Sequence, residues 1–157
     1  MPTDASLLTR LDAMGLSLPA SAIPVGEFIL WRREGSMIFL AGQICEKAGK
    51  PWPTGVYGTD VSLGDARHGA QLIGLQLLRT LRDALDGDLG RVRQVMMVRG
   101  CVTAAPGMGD YPVVINACSE LFIALWGEAG RHARTSVGVA QLPLNATVEI
   151  DAAFAVD

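Results

Sequence analysis

One stretch near the end of the chain decides the fold: Val148-Glu149-Ile150-Asp151-Ala152-Ala153-Phe154-Ala155-Val156. Successive side chains of a β-strand point to opposite faces of the sheet. One face of this stretch therefore carries large apolar side chains, which suit a covering layer of helices. The other face carries two carboxylates between small alanines. The pattern predicts a sheet with one helix-covered face and a second face that is only partly polar.

The rest of the 157-residue chain predicts an α+β layer fold, a single domain spanning residues 1–157. Helical spacing predicts a short helix at residues 4–14 within an N-terminal segment 1–24, and two main helices, one opened by Ser62 and one at 111–126. The five predicted strands are 27–33, 36–43, 91–103, 134–141 and 147–156. Residues 44–61 are rich in Gly and Pro and predict a loop long enough to suggest a function.

The predicted hairpin strand 36–43 is apolar on both faces. Ile38 and Leu40 share one face, and Met37, Phe39 and Ala41 share the other. Because two helices cover only one face of a five-stranded sheet, an apolar second face predicts association between subunits. A mean hydropathy of +0.31 agrees with a large subunit interface.

Composition excludes several classes of protein. The net charge of -3 and the pI of about 5.3 argue against a nucleic-acid partner, because phosphate binding needs clustered Lys and Arg. The three cysteines are widely spaced without a CxxC, which predicts no disulfide framework, no zinc site and a cytoplasmic location. We expect no signal peptide, since Asp4 stands where a signal peptide would be basic and no hydrophobic run follows it. We expect no membrane partner, since Arg79 and Arg82 interrupt the longest apolar candidate for a spanning helix.

Arg134 and Glu149 form the strongest candidate site. Arg134 opens one predicted strand and Glu149 lies on the next, so a hairpin between them would bring the two side chains together at its open end. An Arg fork beside a carboxylate suits an anionic small molecule and a group that activates water. The alternative is an ordinary cross-strand ion pair with a structural role.

Three groups of residues resemble one family. They are Ala133-Arg134-Thr135-Ser136-Val137 through Leu142-Pro143 with Val148-Glu149-Ile150-Asp151-Ala152, then Phe39-Leu40-Ala41-Gly42-Gln43-Ile44, then Val114-Ile115-Asn116-Ala117. Their order and spacing are similar to those of the YjgF/RidA family, also called endoribonuclease L-PSP, and of a longer bacterial branch within it. The resemblance implies a chorismate-mutase-like fold and a homotrimer whose sheets form a central barrel. It also implies ligand clefts at the subunit boundaries. The implied activity is hydrolysis of enamines and imines to 2-oxo acids and ammonia, without metal or cofactor.

The resemblance also implies roles for particular residues. Arg134 matches the arginine that grips the substrate carboxylate, and Glu149 matches the acid that positions the attacking water. Gly42 matches a glycine whose backbone lines the cleft, and Asn116 matches an asparagine expected beside the substrate. Two expected substrate-binding positions depart from the family pattern, with Phe28 where active members usually have tyrosine and Ser136 where they often have cysteine.

Three other functions compete with deamination. The departures at Phe28 and Ser136 favour a non-catalytic module that binds a small carboxylate or another protein on the same fold. Ribonuclease activity, which the family's older name implies, fits poorly with the acidic pI. Chorismate mutase activity would need more than one site cation for its dianionic substrate, and only Arg134 is clearly placed.

Two other residues have a functional alternative. His132 could be a general base, but we expect it at the surface or an interface, with a pKa lowered by its arginine neighbours. Cys45 lies at the start of the loop near the predicted cleft, where a functional thiol is the alternative to a structural one.

Overall fold

The computed structural model describes residues 2–157 and contains three α-helices and seven strands in that range. In chain order the elements are α1 (Asp4–Ala13), β1 (Trp31–Glu34), β2 (Met37–Ile44), β3 (Glu46–Lys47), β4 (Lys50–Pro51), α2 (Leu63–Ala84), β5 (Val92–Thr103), α3 (Tyr111–Trp126), β6 (Ala133–Val139) and β7 (Val148–Val156). The predicted α+β class is confirmed, with the predicted five strands in the main sheet.

Local sequence explains where the helices begin and end. Ser62 is the N-cap of α2, and its hydroxyl accepts a hydrogen bond from the backbone N–H of Asp65 at 3.1 Å. Helix α3 has Pro112 in its first turn, where a missing N–H costs nothing. Leu7 and Leu11 are buried on the inner face of α1, in agreement with the predicted amphipathic pattern.

The main sheet has the strand order β1-β2-β7-β5-β6. Strand β5 pairs in parallel with β6, and the other neighbouring strands are antiparallel. The predicted hairpin between the last two strands is therefore wrong, because β5 lies between β6 and β7. The chain reaches β6 from β5 through α3, which is the crossover that parallel pairing requires.

Helices α2 and α3 cover one face of the sheet, where the core is buried. The apolar face of β7 is buried there, including Ile150 and Phe154, which are fully inaccessible. On the opposite face Phe39 remains 52% exposed. The two unequal faces predicted from alternation are therefore present.

Two boundaries differ from the sequence expectation at the start of the sheet. Strand β1 begins at Trp31, so Phe28 lies in an irregular segment before the strand and not within it. The expected loop 44–61 contains the short hairpin β3–β4 and is fixed by Tyr57, whose buried hydroxyl donates to Asp110 at 2.7 Å. A buried anchor of this kind holds the loop against the start of α3.

The segment Tyr111–Gly130, which includes α3, is long and apolar enough to cross a membrane by length and composition, with a mean hydropathy of 1.3. The sequence instead indicates the segment interrupted by Arg79 and Arg82, which lies in α2, as the longest apolar candidate. In the structure 56% of it is buried within the protein. The core helix of a globular fold meets the same two criteria, so the finding is weak evidence for a membrane span.

Candidate functional site

Arg134 lies on the helix-covered side of the edge strand β6. It pairs with Val98 of β5, whose side chain is buried under the helices, and paired residues point to the same face. The Arg134 guanidinium reaches α3, where its Nη1 donates to Asn116 Oδ1 at 2.7 Å and to Ser119 Oγ at 3.2 Å. The arginine and Asn116, both predicted from the sequence, are thus brought together.

The Arg134 guanidinium is available to an anion. It borders a cavity of about 300 Å³ that is also lined by Asn116, Ser119, Glu120, Ile123, Arg131 and His132. Within residues 2–157 no carboxylate pairs with Arg134, and hydrogen bonds engage only its Nη1. Its Nη2 and Nε hydrogens therefore remain free for the two parallel hydrogen bonds that a carboxylate accepts from an arginine.

Glu149 lies on the other face of the sheet, beside Gly42. Its neighbour on β5 is Cys101, whereas the residues on either side of it, Val148 and Ile150, are buried under the helices. A Cβ atom on Gly42 would lie 2.5 Å from Glu149 Oε1, so only glycine leaves this carboxylate its place. Burial raises the pKa of Glu149 above its ordinary value, and the nearby charge of Asp151 raises it further.

Phe28 and Ser136 lie near different halves of the candidate site. Phe28 is 45% exposed and lines a small cleft together with Gly42. Ser136 follows Arg134 on the same side of β6, and its buried Oγ has no hydrogen-bond partner in the described part of the chain. Phe28 therefore belongs with Gly42 and Glu149, and Ser136 belongs with Arg134 and Asn116.

One subunit does not bring Arg134 and Glu149 together, contrary to the sequence expectation. Arg134 lies opposite Val98 and Glu149 opposite Cys101, on either side of β5. Standard strand spacings put their Cα atoms roughly 14 Å apart, and their side chains point to opposite faces of the sheet. The alternative of a cross-strand ion pair between them is excluded by the same geometry.

The structure adds Ser119 and His132 to the Arg134 side. His132 Nε2 lies 2.9 Å from Ser119 Oγ, and His132 Nδ1 lies 2.7 Å from the carbonyl oxygen of Gly130. Ser119 was missed because a lone serine inside an apolar helix gives no signal. Its spacing of three residues from Asn116 would have placed the two on one helix face. The sequence predicts His132 at the surface or an interface, and in the structure it is half-buried and lines the cavity.

The expected direction of the His132 pKa shift is confirmed, but its main cause differs. Burial is the largest contribution and lowers the pKa below its usual 6.5. The charge of Arg134 lowers it further, while the hydrogen bond to the Gly130 carbonyl opposes the shift. Neutral imidazole is therefore the favoured state in the cavity.

Burial raises the pKa of all three cysteine thiols. Burial raises the pKa of the Cys45 thiol to about 12, which is the opposite of what a nucleophilic thiol needs. All three cysteines are free. Among residues 2–157 no group of three His, Cys, Asp or Glu side chains is arranged to hold a metal ion.

Comparison with known proteins identifies relatives over nearly the whole chain. Residues 8–155 match the family described as "YjgF/chorismate mutase-like, putative endoribonuclease". Protein TCP17 of Trypanosoma cruzi is 34% identical over 144 residues, which are 91% of this chain and 89% of that protein.

Two solved structures are similar throughout. The crystal structure of Atu1372 from Agrobacterium tumefaciens, a protein of unknown function, has a TM-score of 0.91 and 36% identity and covers 98% of this chain and 95% of that one. A Shewanella oneidensis protein described as a putative endoribonuclease has a TM-score of 0.91 and 27% identity, with 96% and 99% covered. The family motifs, the matching fold and these relatives lead to one conclusion: the chain belongs to the YjgF/chorismate mutase-like family.

Proposed function

We propose that this protein hydrolyses enamine and imine forms of amino-acid-derived 2-oxo acids, releasing the 2-oxo acid and ammonia. The observation that carries the proposal is the Arg134 guanidinium, which lines a cavity with its Nη2 and Nε free of any carboxylate partner in the described chain. This geometry supports the binding of a small carboxylate through two parallel hydrogen bonds.

The catalytic cleft of the proposal is formed between two subunits of a homotrimer. The Arg134 half, with Asn116 and Ser136, belongs to one subunit, and Glu149, Gly42 and Phe28 come from the neighbour. The exposed apolar side chain of Phe39 on the uncovered face supports association through that face. Three free cysteines suit a reducing compartment, so we place the trimer in the cytoplasm.

The proposed reaction needs orientation and a placed water. Arg134 holds the substrate carboxylate, which puts the C=N carbon in the cleft. Glu149 accepts a proton from the attacking water while the oxygen bonds to the carbon of the protonated imine, giving a carbinolamine. Glu149 then returns the proton to nitrogen, the C–N bond breaks and ammonia leaves as the C=O bond forms. The hydroxyl proton passes back through Glu149 to the released ammonia, so that iminium and water become 2-oxo acid and ammonium. General acid–base catalysis of this kind contributes about 10²- to 10⁴-fold in rate.

The raised pKa of Glu149 supports this role. A carboxylate held near Asp151 and partly out of water binds a proton more readily than a free glutamate. Its basicity therefore lies closer to neutral pH, which is where a general base works best.

The test is turnover of imines generated in situ by an amino-acid oxidase in the presence of semicarbazide. Semicarbazide traps the imine as a semicarbazone, and an imine hydrolase lowers the rate at which this product accumulates. We expect the purified protein to lower that rate in proportion to its concentration. No change at any protein concentration would contradict the proposal.

Non-catalytic binding of a small carboxylate is the second candidate. One observation favours it: Phe28, which lines the cleft beside Gly42, has no hydroxyl group to share the work of Glu149. On this alternative pyruvate binds at Arg134 while the semicarbazide assay shows no hydrolysis, so the two measurements together distinguish the candidates.

A further inference from the structure

Ser119 and His132 form a hydrogen-bonded chain that ends on the Arg134 guanidinium. Arg134 Nη1 donates to Ser119 Oγ at 3.2 Å, Ser119 Oγ lies 2.9 Å from His132 Nε2, and His132 Nδ1 lies 2.7 Å from the carbonyl oxygen of Gly130. Ser119 is only 7% exposed, and yet both Ser119 and His132 line the Arg134 cavity. A buried chain of this kind leaves few arrangements for its hydrogens.

The proton positions in the neutral chain follow from the partners. A carbonyl oxygen only accepts, so His132 Nδ1 carries a hydrogen and donates it to Gly130. In a neutral imidazole the other nitrogen is then an acceptor. The Ser119 hydroxyl therefore donates to His132 Nε2, and the lone pairs of Ser119 Oγ accept from Arg134. In this state the Ser119 hydrogen is unavailable to a ligand.

Protonation of His132 reverses the middle of the chain. Nε2 then carries a hydrogen and donates to Ser119 Oγ, which releases the serine hydrogen toward the cavity. Two cations, His132 and Arg134, then share one hydroxyl oxygen, so this state is unfavourable in the empty cavity. A bound carboxylate removes the conflict because its negative charge offsets the second cation and it accepts the released hydrogen.

The other charged groups around the cavity leave His132 without a competing carboxylate. Two glutamates are near, and each is already paired with an arginine: Glu120 with Arg67 at 2.9 Å and Glu128 with Arg131 at 3.2 Å. Phe122, on the helix packed against the imidazole, contributes an apolar ring in an edge contact. The charge nearest to His132 along its chain of hydrogen bonds is therefore Arg134.

We propose that Ser119 and His132 are a second, proton-coupled arm of the carboxylate site: when a carboxylate oxygen binds Arg134 Nη2 on the side next to Ser119, His132 takes up a proton and the Ser119 hydroxyl turns to donate to that oxygen. In this protonated state the oxygen accepts from Nη2 and Ser119, in place of the fork through Nη2 and Nε. The inference rests on the proposed function in one respect, the binding of a carboxylate at Arg134. It adds two binding residues and makes tighter binding at lower pH a property of the site.

The direction of the pH dependence follows from linkage. If binding raises the pKa of His132, affinity is constant well above the pKa of the complex and rises as the pH falls through it. Affinity becomes constant again below the pKa of the free protein. We expect the dissociation constant of pyruvate to fall by about tenfold between roughly pH 8 and 5.5, as one added hydrogen bond to a charged group would give.

The experiment is calorimetric titration of the whole protein with pyruvate across this pH range, repeated in two buffers with different ionisation enthalpies. The buffer dependence of the heat counts the protons taken up on binding. The change His132→Gln removes the titrating group, and we expect a pyruvate affinity that no longer varies with pH. The change Ser119→Ala removes the donated hydrogen bond, and we expect a smaller pH dependence than in the wild type.

Two matched variants separate His132 from the other titrating groups. The chain has only two histidines, and His68 is exposed, so His68→Gln should keep the full pH dependence. The change Glu120→Gln should also keep it, since Glu120 borders the cavity but is paired with Arg67. In the wild-type protein the imidazole NMR signals give the pKa of His132 directly, and we expect saturation with pyruvate to raise it.

The outcomes distinguish this inference from the proposed function. Pyruvate binding that does not vary with pH, or a pH dependence that survives His132→Gln, would overturn the proton-coupled arm and leave the carboxylate site intact. A wild-type protein that binds no pyruvate at any pH would overturn the carboxylate site and the arm together. Proton uptake lost only with His132 would support the arm.

Discussion

The two faces of the sheet hold different halves of the same candidate chemistry. On the covered face Arg134 is fixed by α3 through Asn116 and Ser119, in a cavity with defined hydrogen-bond partners. On the uncovered face Glu149 lies beside Gly42 and near Asp151, and apolar side chains of that face, such as Phe39, are exposed within one chain. The covered half is built by the fold of one chain, whereas the uncovered half would gain a cover only from another surface packed on it.

This difference suggests how the work of the proposed site is divided. The rigid half, made by a helix and an edge strand, suits recognition, because its hydrogen bonds exist before a ligand arrives. The open half suits activation of water, because packing of a neighbour would further desolvate Glu149 and raise its pKa. Changes in the two halves should therefore have separable effects on assembly, binding and turnover.

The largest expected effect comes from charging the uncovered face. We expect Phe39→Asp to dissociate the proposed trimer to a species of 16.6 kDa and to abolish the proposed imine hydrolysis, because the charge would be buried in the proposed interface. Sedimentation velocity at micromolar concentration measures the mass. The matched control is Met14→Glu at the end of α1, a side chain 41% exposed, which should remain trimeric. A trimeric Phe39→Asp protein would show that this face is not the interface.

The next largest effect is expected when Arg134, on the covered face, can no longer donate two parallel hydrogen bonds to a carboxylate. We expect Arg134→Lys to weaken pyruvate binding by about 100-fold or more, because an ammonium group cannot form two parallel hydrogen bonds and cannot reach the same partners. Titration calorimetry measures the affinity. Arg131→Lys is the control, since Arg131 borders the same cavity but is paired with Glu128. Equal affinities for wild type and Arg134→Lys would remove Arg134 from the site.

A smaller and more selective effect is expected on the uncovered face. Glu149→Gln keeps the shape of the side chain and removes the base, so kcat should fall by about 10²-fold while pyruvate affinity changes little. The comparison variant is Asp151→Asn: Asp151 is on the same face, pairs with Arg99 at 2.9 Å and acts only through the pKa of Glu149, so kcat should fall much less. If Glu149→Gln instead loses pyruvate affinity, Glu149 contributes to ligand binding, and the proposed mechanism has no general base for the attacking water.

The smallest effect concerns stability. Burial raises the pKa of Glu149, so the folded chain binds a proton at this residue more readily than the unfolded chain. The stability of the folded state therefore rises as the pH falls from neutral toward the pKa of an ordinary glutamate. The unfolding temperature of Glu149→Gln should therefore be about one or two degrees above that of the wild type at neutral pH. The difference should vanish near roughly pH 4, where the wild-type carboxyl is also protonated. Thermal unfolding followed by circular dichroism checks this. A variant that is less stable at neutral pH would mean that the charged carboxylate has a stabilising partner.

The sequence predicts which side chains share a face of the sheet, but it does not predict the order of the strands. Alternation in β7 predicts which side chains share a face because the period is set by the strand itself. It does not state which strand lies alongside. Strands β6 and β7 follow each other closely in the chain, and the hairpin expected from that proximity is wrong, because β6 pairs in parallel with β5 after the α3 crossover. Neighbour order depends on long-range packing that no local pattern records.

The candidate site shows the same limit. The family resemblance identified Arg134, Asn116, Gly42 and Glu149, and the structure groups them in pairs on opposite faces. The roles of Ser119 and His132 could not be predicted from the sequence, because they depend on a contact between α3 and the turn before β6. Such contacts between separate elements are set by tertiary packing, whereas the capping of α2 by Ser62 is local and was predicted.

Two half-sites on opposite faces of one chain have a genetic consequence. In the proposed ring of three identical subunits, each cleft would take Arg134 from one chain and Glu149 from the next. Two inactive proteins, Arg134→Ala and Glu149→Gln, would then complement each other when they assemble together, since some clefts receive both intact residues. With equal, random mixing roughly a quarter of the clefts are intact, so two alleles that fail alone would restore about a quarter of the activity when expressed in one cell.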